Sequence, residues 1–140
     1  MKDYFENYQD QTCLIYEAET LVYTSSYKGV RPLLEYLKSF GPSPKPLTVV
    51  DRIMGRGAVM LAISINASWL KTPIISQPAL DLAHGHGLKV EAEKIVPYII
   101  NREGNGPCPI ETSVLDINDI EEGLLRIKET IAELMSKDQS

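Results

Sequence analysis

A chain of 140 residues, 44% hydrophobic and 24% charged, has ordinary globular composition. That excludes a disordered tail, a collagen-like repeat and a disulfide scaffold. The length suits a single domain over 1–140 that buries roughly two thirds of its unfolded surface. The formal net charge of -5 argues against nucleic acid as a partner, because phosphate contact needs a basic surface. Cys13 and Cys108 are too few for a secreted framework and fit a reducing cytosol. The start, Met1 to Asn7, lacks the basic and apolar regions of a signal peptide. No stretch approaches the ~20 apolar residues of a membrane span. The expected location is cytoplasmic, with no membrane partner.

Residues 1–11 are expected to form an N-terminal helix or a flexible segment. Thr12 to Tyr16 and Thr20 to Thr24 then read as a β-hairpin across Glu17-Ala18-Glu19. Leu33, Leu34, Leu37 and Phe40 recur at helical spacing, with Pro32 in the first turn and Gly41 just past the end. Pro42, Pro44 and Pro46 make a stiff loop. Leu47 to Val50 is a short buried strand ending at Asp51. Gly55 to Ile65 is apolar nearly all round, which predicts a helix packed on a sheet. Leu70 to Ile75 is a strand, and Ser76 caps a helix over Pro78 to Ala83 that closes at Gly85 and Gly87. Leu88 to Ala92 is a fifth strand, and Tyr98 to Pro109 is a glycine- and proline-rich loop. Asn118 with Glu121 resembles a capping box for a last helix from Asp119 to about Met135.

Strands alternating with helices predict an α/β fold with a mostly parallel sheet, opened by one antiparallel pair. Ile117, Ile120, Leu124, Ile127, Ile131 and Leu134 form a narrow apolar stripe on the last helix. Such a stripe fits a homo-oligomer seam, but covering the sheet is its commoner use.

The segment Asn101 to Glu111 carries the first candidate chemistry. Pro109 suits the first helical position, which makes Cys108 the N-cap and Glu111 the third residue. A thiol there faces unpaired N–H groups and gains nucleophilicity as a thiolate. Arg102 and Glu111 would be its partners, with Glu111 as acid or base. The plainer alternative is a Gly/Pro turn holding a small apolar cysteine. The second candidate is Asp51 to Ala58, where a strand ends and a helix begins. There Gly55 and Gly57 would let a ligand reach backbone N–H groups, Arg52 and Arg56 would hold an anion, and Asp51 would orient a donor. Equally, those glycines serve helix packing and the arginines are solvated.

No metal and no other cofactor is expected. Pro107-Cys108 evokes the zinc nucleoside deaminases, which pair His-x-Glu or Cys-x-Glu with Pro-Cys-x-x-Cys. Here Glu111 stands in place of the second cysteine and neither upstream motif occurs. His84-Gly85-His86 flanks helix-terminating glycines, where a helix C-terminus favours histidine without a ligand.

Three blocks carry a family resemblance: Ser25 with Gly29-Val30-Arg31-Pro32-Leu33, then Val50 to Ala58, then Asn101-Arg102 through Gly104 and Gly106 to Cys108-Pro109-x-Glu111. Together they resemble an uncharacterised prokaryotic domain family with a cytidine-deaminase-like fold that lacks the zinc-binding motif. The resemblance implies a three-layer α/β/α mixed sheet of about five strands. It sets Pro32 where a deaminase carries His-x-Glu, and Asp51 to Gly55 where one carries Pro-Cys-x-x-Cys. Ser25, Arg31, Ser76, Asn101 and Arg102 would join the two arginines and two glycines around a small anionic, nucleotide-like ligand. Cys108, Glu111 and Asp51 would supply any catalysis. The rival reading is a non-catalytic sensor or protein-interaction module on a degenerate deaminase scaffold.

Overall fold

The computed structural model describes residues 3–138. Its elements are β1 (Cys13–Glu17), β2 (Thr20–Ser25), α1 (Arg31–Phe40), β3 (Leu47–Asp51), β4 (Ile53–Met54), α2 (Arg56–Ser64), β5 (Ala67–Ser76), α3 (Gln77–Gly85), β6 (Lys89–Val96), α4 (Pro109–Ser113) and α5 (Ile120–Asp138). The predicted helix and strand types hold. Boundaries shift where neighbours extend a strand: β5 and β6 run on as a parallel pair from Trp69↔Lys89 to Ser76↔Val96.

The sheet is six-stranded and mixed, in the order β2-β1-β3-β5 with β4 and β6 also paired to β5. β1 is antiparallel to both β2 and β3, whereas β3, β4 and β6 are parallel to β5. β4 meets the C-terminal part of β5 at Ile53↔Ile74 and Met54↔Ile75, beyond the stretch that β3 covers. The sixth strand arises because the chain leaves the ladder at Arg52 and rejoins it one residue later.

The three-layer expectation is corrected. Cys13, Ile15, Val49 and Leu70 face one side, where they share a core with Leu33 of α1, Met60 of α2, Ala79 of α3 and Ile127 of α5. Leu14 and Val50 face the opposite side and meet Phe5, Tyr4, Tyr16 and Leu21, all from strands or the N-terminal segment. The reason is topological. β3, β5 and β6 are laid down in one direction across the sheet, and right-handed crossovers taken in one direction keep their helices on one face. The strand order therefore has no reversal among its parallel members.

Residues 3–12 form turns and no helix. They lie as a strap over the face the helices leave bare, with Phe5 buried against Leu14 and Val50. On the other face α2 is surrounded, buried from Arg56 through Ala62, which accounts for its apolar character all round. The α5 stripe covers α2: Ile120, Leu124 and Ile131 pack against the core that contains Met60. The N-cap of α5 is Asp119, whose Oδ2 accepts the N–H of Glu122 at 2.9 Å. Asn118, the expected cap, instead accepts from Arg56.

The hairpin closes with two residues rather than three, since Glu17 pairs with Thr20. That tight turn forces Ala18 to a φ of 54°, a region costing an L residue roughly 1 kcal/mol. Ala18→Gly is therefore expected to raise stability by about 0.5–1 kcal/mol in urea unfolding. An unchanged or lowered midpoint would contradict the strained-turn assignment.

Candidate functional site

Two buried polar clusters stand at the C-terminal ends of the parallel strands. The first is built on Glu111, 3% exposed on α4. Pro109 starts this short helix and Cys108 is its N-cap, as the sequence suggests. Glu111 Oε2 accepts the N–H of Arg56 at 2.6 Å and the hydroxyl of Ser76. Its Oε1 accepts the N–H of Ile99 at 2.9 Å. Ser76 Oγ in turn accepts the N–H of Ala79 at 3.2 Å, capping α3. One carboxylate thus ties together the start of α2, the β5–α3 junction and the segment after β6. An anion at the N-terminus of α2 meets unpaired N–H groups and the positive end of the helix dipole.

The glycines explain how it fits. A Cβ on Gly55 would lie 3.1 Å from Glu111 Oε2 and 3.1 Å from the Ile99 side chain. A Cβ on Gly57 would lie 3.0 Å from Ile110. Backbone access at residue 55 does admit an anion, but that anion is the protein's own Glu111. Gly57 serves helix packing.

The arginines of this region do not converge on a ligand. Arg56 is 6% exposed. Its guanidinium donates to the carbonyls of Val114 at 2.8 Å and Ile117 at 2.6 Å, and to Asn118 Oδ1 at 2.8 Å. A weaker bond reaches the Pro78 carbonyl at 3.3 Å. These carbonyls close the end of α4 and the turn after it, where a cation is favoured. Arg52 points to the other face of the sheet. Its Nε donates to the Gln11 carbonyl at 2.7 Å, its Nη2 to that of Gln9 at 3.0 Å, and its guanidinium stacks 4.1 Å from the Phe5 ring centroid. Expecting Arg52 and Arg56 to clamp one anion fails because carbonyls on opposite faces already use both groups. An open cleft of about 260 Å³ adjoins Arg56, lined also by Asp81, Leu82, Gly85, His86 and Asn118. None of Cys108, Glu111 and Asp51 lines it.

Cys108 is half-buried with a free thiol, and that thiol makes no capping hydrogen bond. Both Glu111 oxygens are directed to other groups. Asn101 is folded into its own turn, exchanging bonds with Asn105, while Arg102 is exposed on that turn. The thiol, the two loop residues and Glu111 therefore share a segment without forming a hydrogen-bonded constellation. Iodoacetamide is expected to label Cys108 in the native protein at least tenfold faster than Cys13, which is fully buried and whose thiol is pushed up by burial and by Asp51. Equal rates, read by peptide mass spectrometry, would contradict these burials.

The second cluster was not legible from spacing. Cys13 stands opposite Ser25 on one side and opposite Asp51 on the other, so β2, β1 and β3 contribute one residue each to a buried row. Asp51 is 4% exposed, and its Oδ2 has no hydrogen-bond partner. Burial pushes its carboxyl up to about 7, against the pull of the Arg52 and Ile53 backbone N–H groups. Ser25 Oγ accepts the N–H of Tyr27 at 3.1 Å, and exposed Arg31 lies 3.9 Å over the Tyr27 ring. Cys13 reads as an ordinary strand residue because only the register reveals its neighbours.

Deaminase zinc does not fit this chain. The two places that would supply ligands hold Arg31-Pro32-Leu33 and Asp51 to Gly55, with no histidine or cysteine. Among the described residues, no group of three or more His, Cys, Asp or Glu side chains is placed to hold a metal ion.

The strand order and the Glu111 hub are whole-chain features, and the family comparison is equally extensive. The model of the TM1506 family, a domain of unknown function (DUF1893), matches residues 3–131. The chain belongs to the DUF1893 family. Its fold is similar to the crystal structure of a DUF1893 family protein (TM1506) from Thermotoga maritima, with a TM-score of 0.79 and 26% identity. That match covers 92% of this chain and 84% of the other. No curated protein sequence matches it. Among the described residues of this DUF1893 chain, no helix is long and apolar enough to cross a membrane.

Proposed function

We propose that this DUF1893 domain is a non-catalytic sensor or interaction module, built on a cytidine-deaminase-like scaffold whose reaction crevice its own side chains fill. The observation that carries the reading is the seat of Glu111 on the first N–H of α2, shared with Ser76 and Ile99. In a deaminase-like arrangement that helix start belongs to the catalytic centre; here a tethered carboxylate occupies it, with Gly55 leaving the room. The antiparallel opening pair followed by parallel strands and helices supports the scaffold, while the donor set at residues 31–33 and 51–55 is unsuited to zinc.

The experiment compares thermal unfolding with and without nucleosides and nucleoside mono-, di- and triphosphates, alongside ammonia release from cytidine and adenosine. The reading expects no shift in Tm and no ammonia. A rise of several degrees with any of these compounds, which mass action links to binding of the folded state, would overturn it, as would measurable ammonia.

A further inference from the structure

The cleft of about 260 Å³ beside Arg56 lies between the C-terminal half of α3 and the turn that precedes α5. Arg56 forms its floor, since the guanidinium reaches Pro78 on α3 through Nη1 and Asn118 through Nη2. Four of its five N–H groups are spent on three carbonyls and one side-chain amide, which leaves one on Nη1. All four acceptors are neutral. Neither of the ion pairs among the described residues involves Arg56, so a guanidinium only 6% exposed has no counter-ion. A buried charge in that position is costly alone and gains strongly from an anion beside it. The α3 wall has the opposite sign. Asp81 turns one carboxylate oxygen along the helix to Gln77 Nε2 at 2.8 Å and takes part in neither ion pair. Gly85 and His86 stand at the C-terminal end of α3, where the helix dipole favours a positive group.

We infer that this cleft binds a small zwitterion of the α-amino-acid class, its carboxylate on Arg56 and Asn118 and its ammonium on Asp81 and the end of α3. The Asn118 carbonyl oxygen is held by Arg56, so its amide N–H groups are what it offers a ligand, and they suit a carboxylate. Arg56 stays a fastening throughout and lends the ligand its charge and its one remaining N–H. A phosphate ester would bring a second negative charge against Asp81, and a plain amine would leave Arg56 without a counter-ion. The volume lies just below the ~300 Å³ at which drug-sized sites begin, which suits a single amino acid. Leu82 gives its aliphatic carbons an apolar contact. The site is separate from the Glu111 seat. It gives the sensor reading a ligand and stands or falls apart from it, because nucleosides and amino acids are different probes.

Thermal unfolding of the full chain with each common amino acid at ~20 mM tests this. At least one is expected to raise Tm by several degrees, as a ligand well above its Kd does. Its amide, which lacks the carboxylate, and the matching acid without the amine are each expected to lose most of that rise. Two substitutions locate the site. Asn118→Asp keeps an oxygen on Arg56 but supplies the counter-charge from within and removes the donor amide. Asp81→Asn removes the partner of the ammonium. Each is expected to weaken binding by about tenfold or more, the loss of one charge-assisted contact. No rise with any amino acid overturns the inference, and so does an equal rise with the amide or the amine-free acid. A rise that survives both substitutions puts the binding elsewhere and overturns it as well. If neither variant folds, the comparison of amino acid, amide and acid on the natural sequence decides.

Discussion

Asp51→Asn is expected to gain on the parent protein by on the order of 2–4 kcal/mol between pH 4 and pH 8. The sign follows from the direction of the shift. The carboxyl is raised from 3.8 to about 7 in the folded chain, so the folded state holds this proton where the unfolded chain has lost it. That stability is fully present below the unfolded value and is lost as pH rises through about 7. Asparagine is uncharged throughout and keeps an acceptor for the neighbouring N–H groups. The difference between the two proteins should therefore be smallest near pH 4, grow between pH 4 and pH 7, and level off above that. Urea unfolding of both proteins across this range reads it directly. Parallel stability curves would mean that Asp51 is hydrated or paired in solution.

Glu111→Ala is expected to be the most damaging single truncation in the molecule, costing about 3–5 kcal/mol. It strands three donors at once: the N–H groups of Arg56 and Ile99 and the Ser76 hydroxyl. Each unsatisfied buried donor costs about 1–3 kcal/mol, and bonds to an ionised acceptor are the stronger kind. Three structural junctions meet on this carboxylate, so their loosening is shared. Glu111→Gln should fall between, because it keeps one carbonyl oxygen for Arg56 and Ser76 but turns an amide against the Ile99 N–H. The discriminating measurement is carboxylate rescue. Acetate should raise the Tm of Glu111→Ala by several degrees and leave the natural protein unmoved, because only the truncated chain offers a vacant anion seat. A truncation cost under 1 kcal/mol would show that the hub is loosely held, and absence of rescue would show that the helix start is not an anion site.

Several elements followed from the sequence because their signals are local. Pro32 and Gly41 bound α1, Ser76 caps α3 through Ala79, and Pro109 begins α4 with Cys108 at its cap. These are rules of backbone geometry and hydrogen bonding over three or four residues. The apolar run of α2 announced its burial for the same reason. Asn118 and Asp119 were harder to separate, as either can cap a helix; a contact with Arg56, 62 positions away in sequence, settled the choice.

The candidate site divides along the same line. Glu111 was legible as chemically unusual, and so was the glycine-flanked Arg56, but their relation was not. That Glu111 sits on the N–H of Arg56 depends on bringing residues 55 positions apart together. Composition and periodicity by themselves determined an α/β chain, its element types and its main helix ends, because burial pattern and capping act within a turn or a strand. Only the tertiary structure decided that the helices share one face, since that rests on the direction in which right-handed crossovers are laid down. It alone decided that Cys13 opposes Asp51, since strand register is a non-local pairing. It also turned two arginines from ligands into fastenings, because a guanidinium's role is set by whichever oxygens the fold brings within 3 Å.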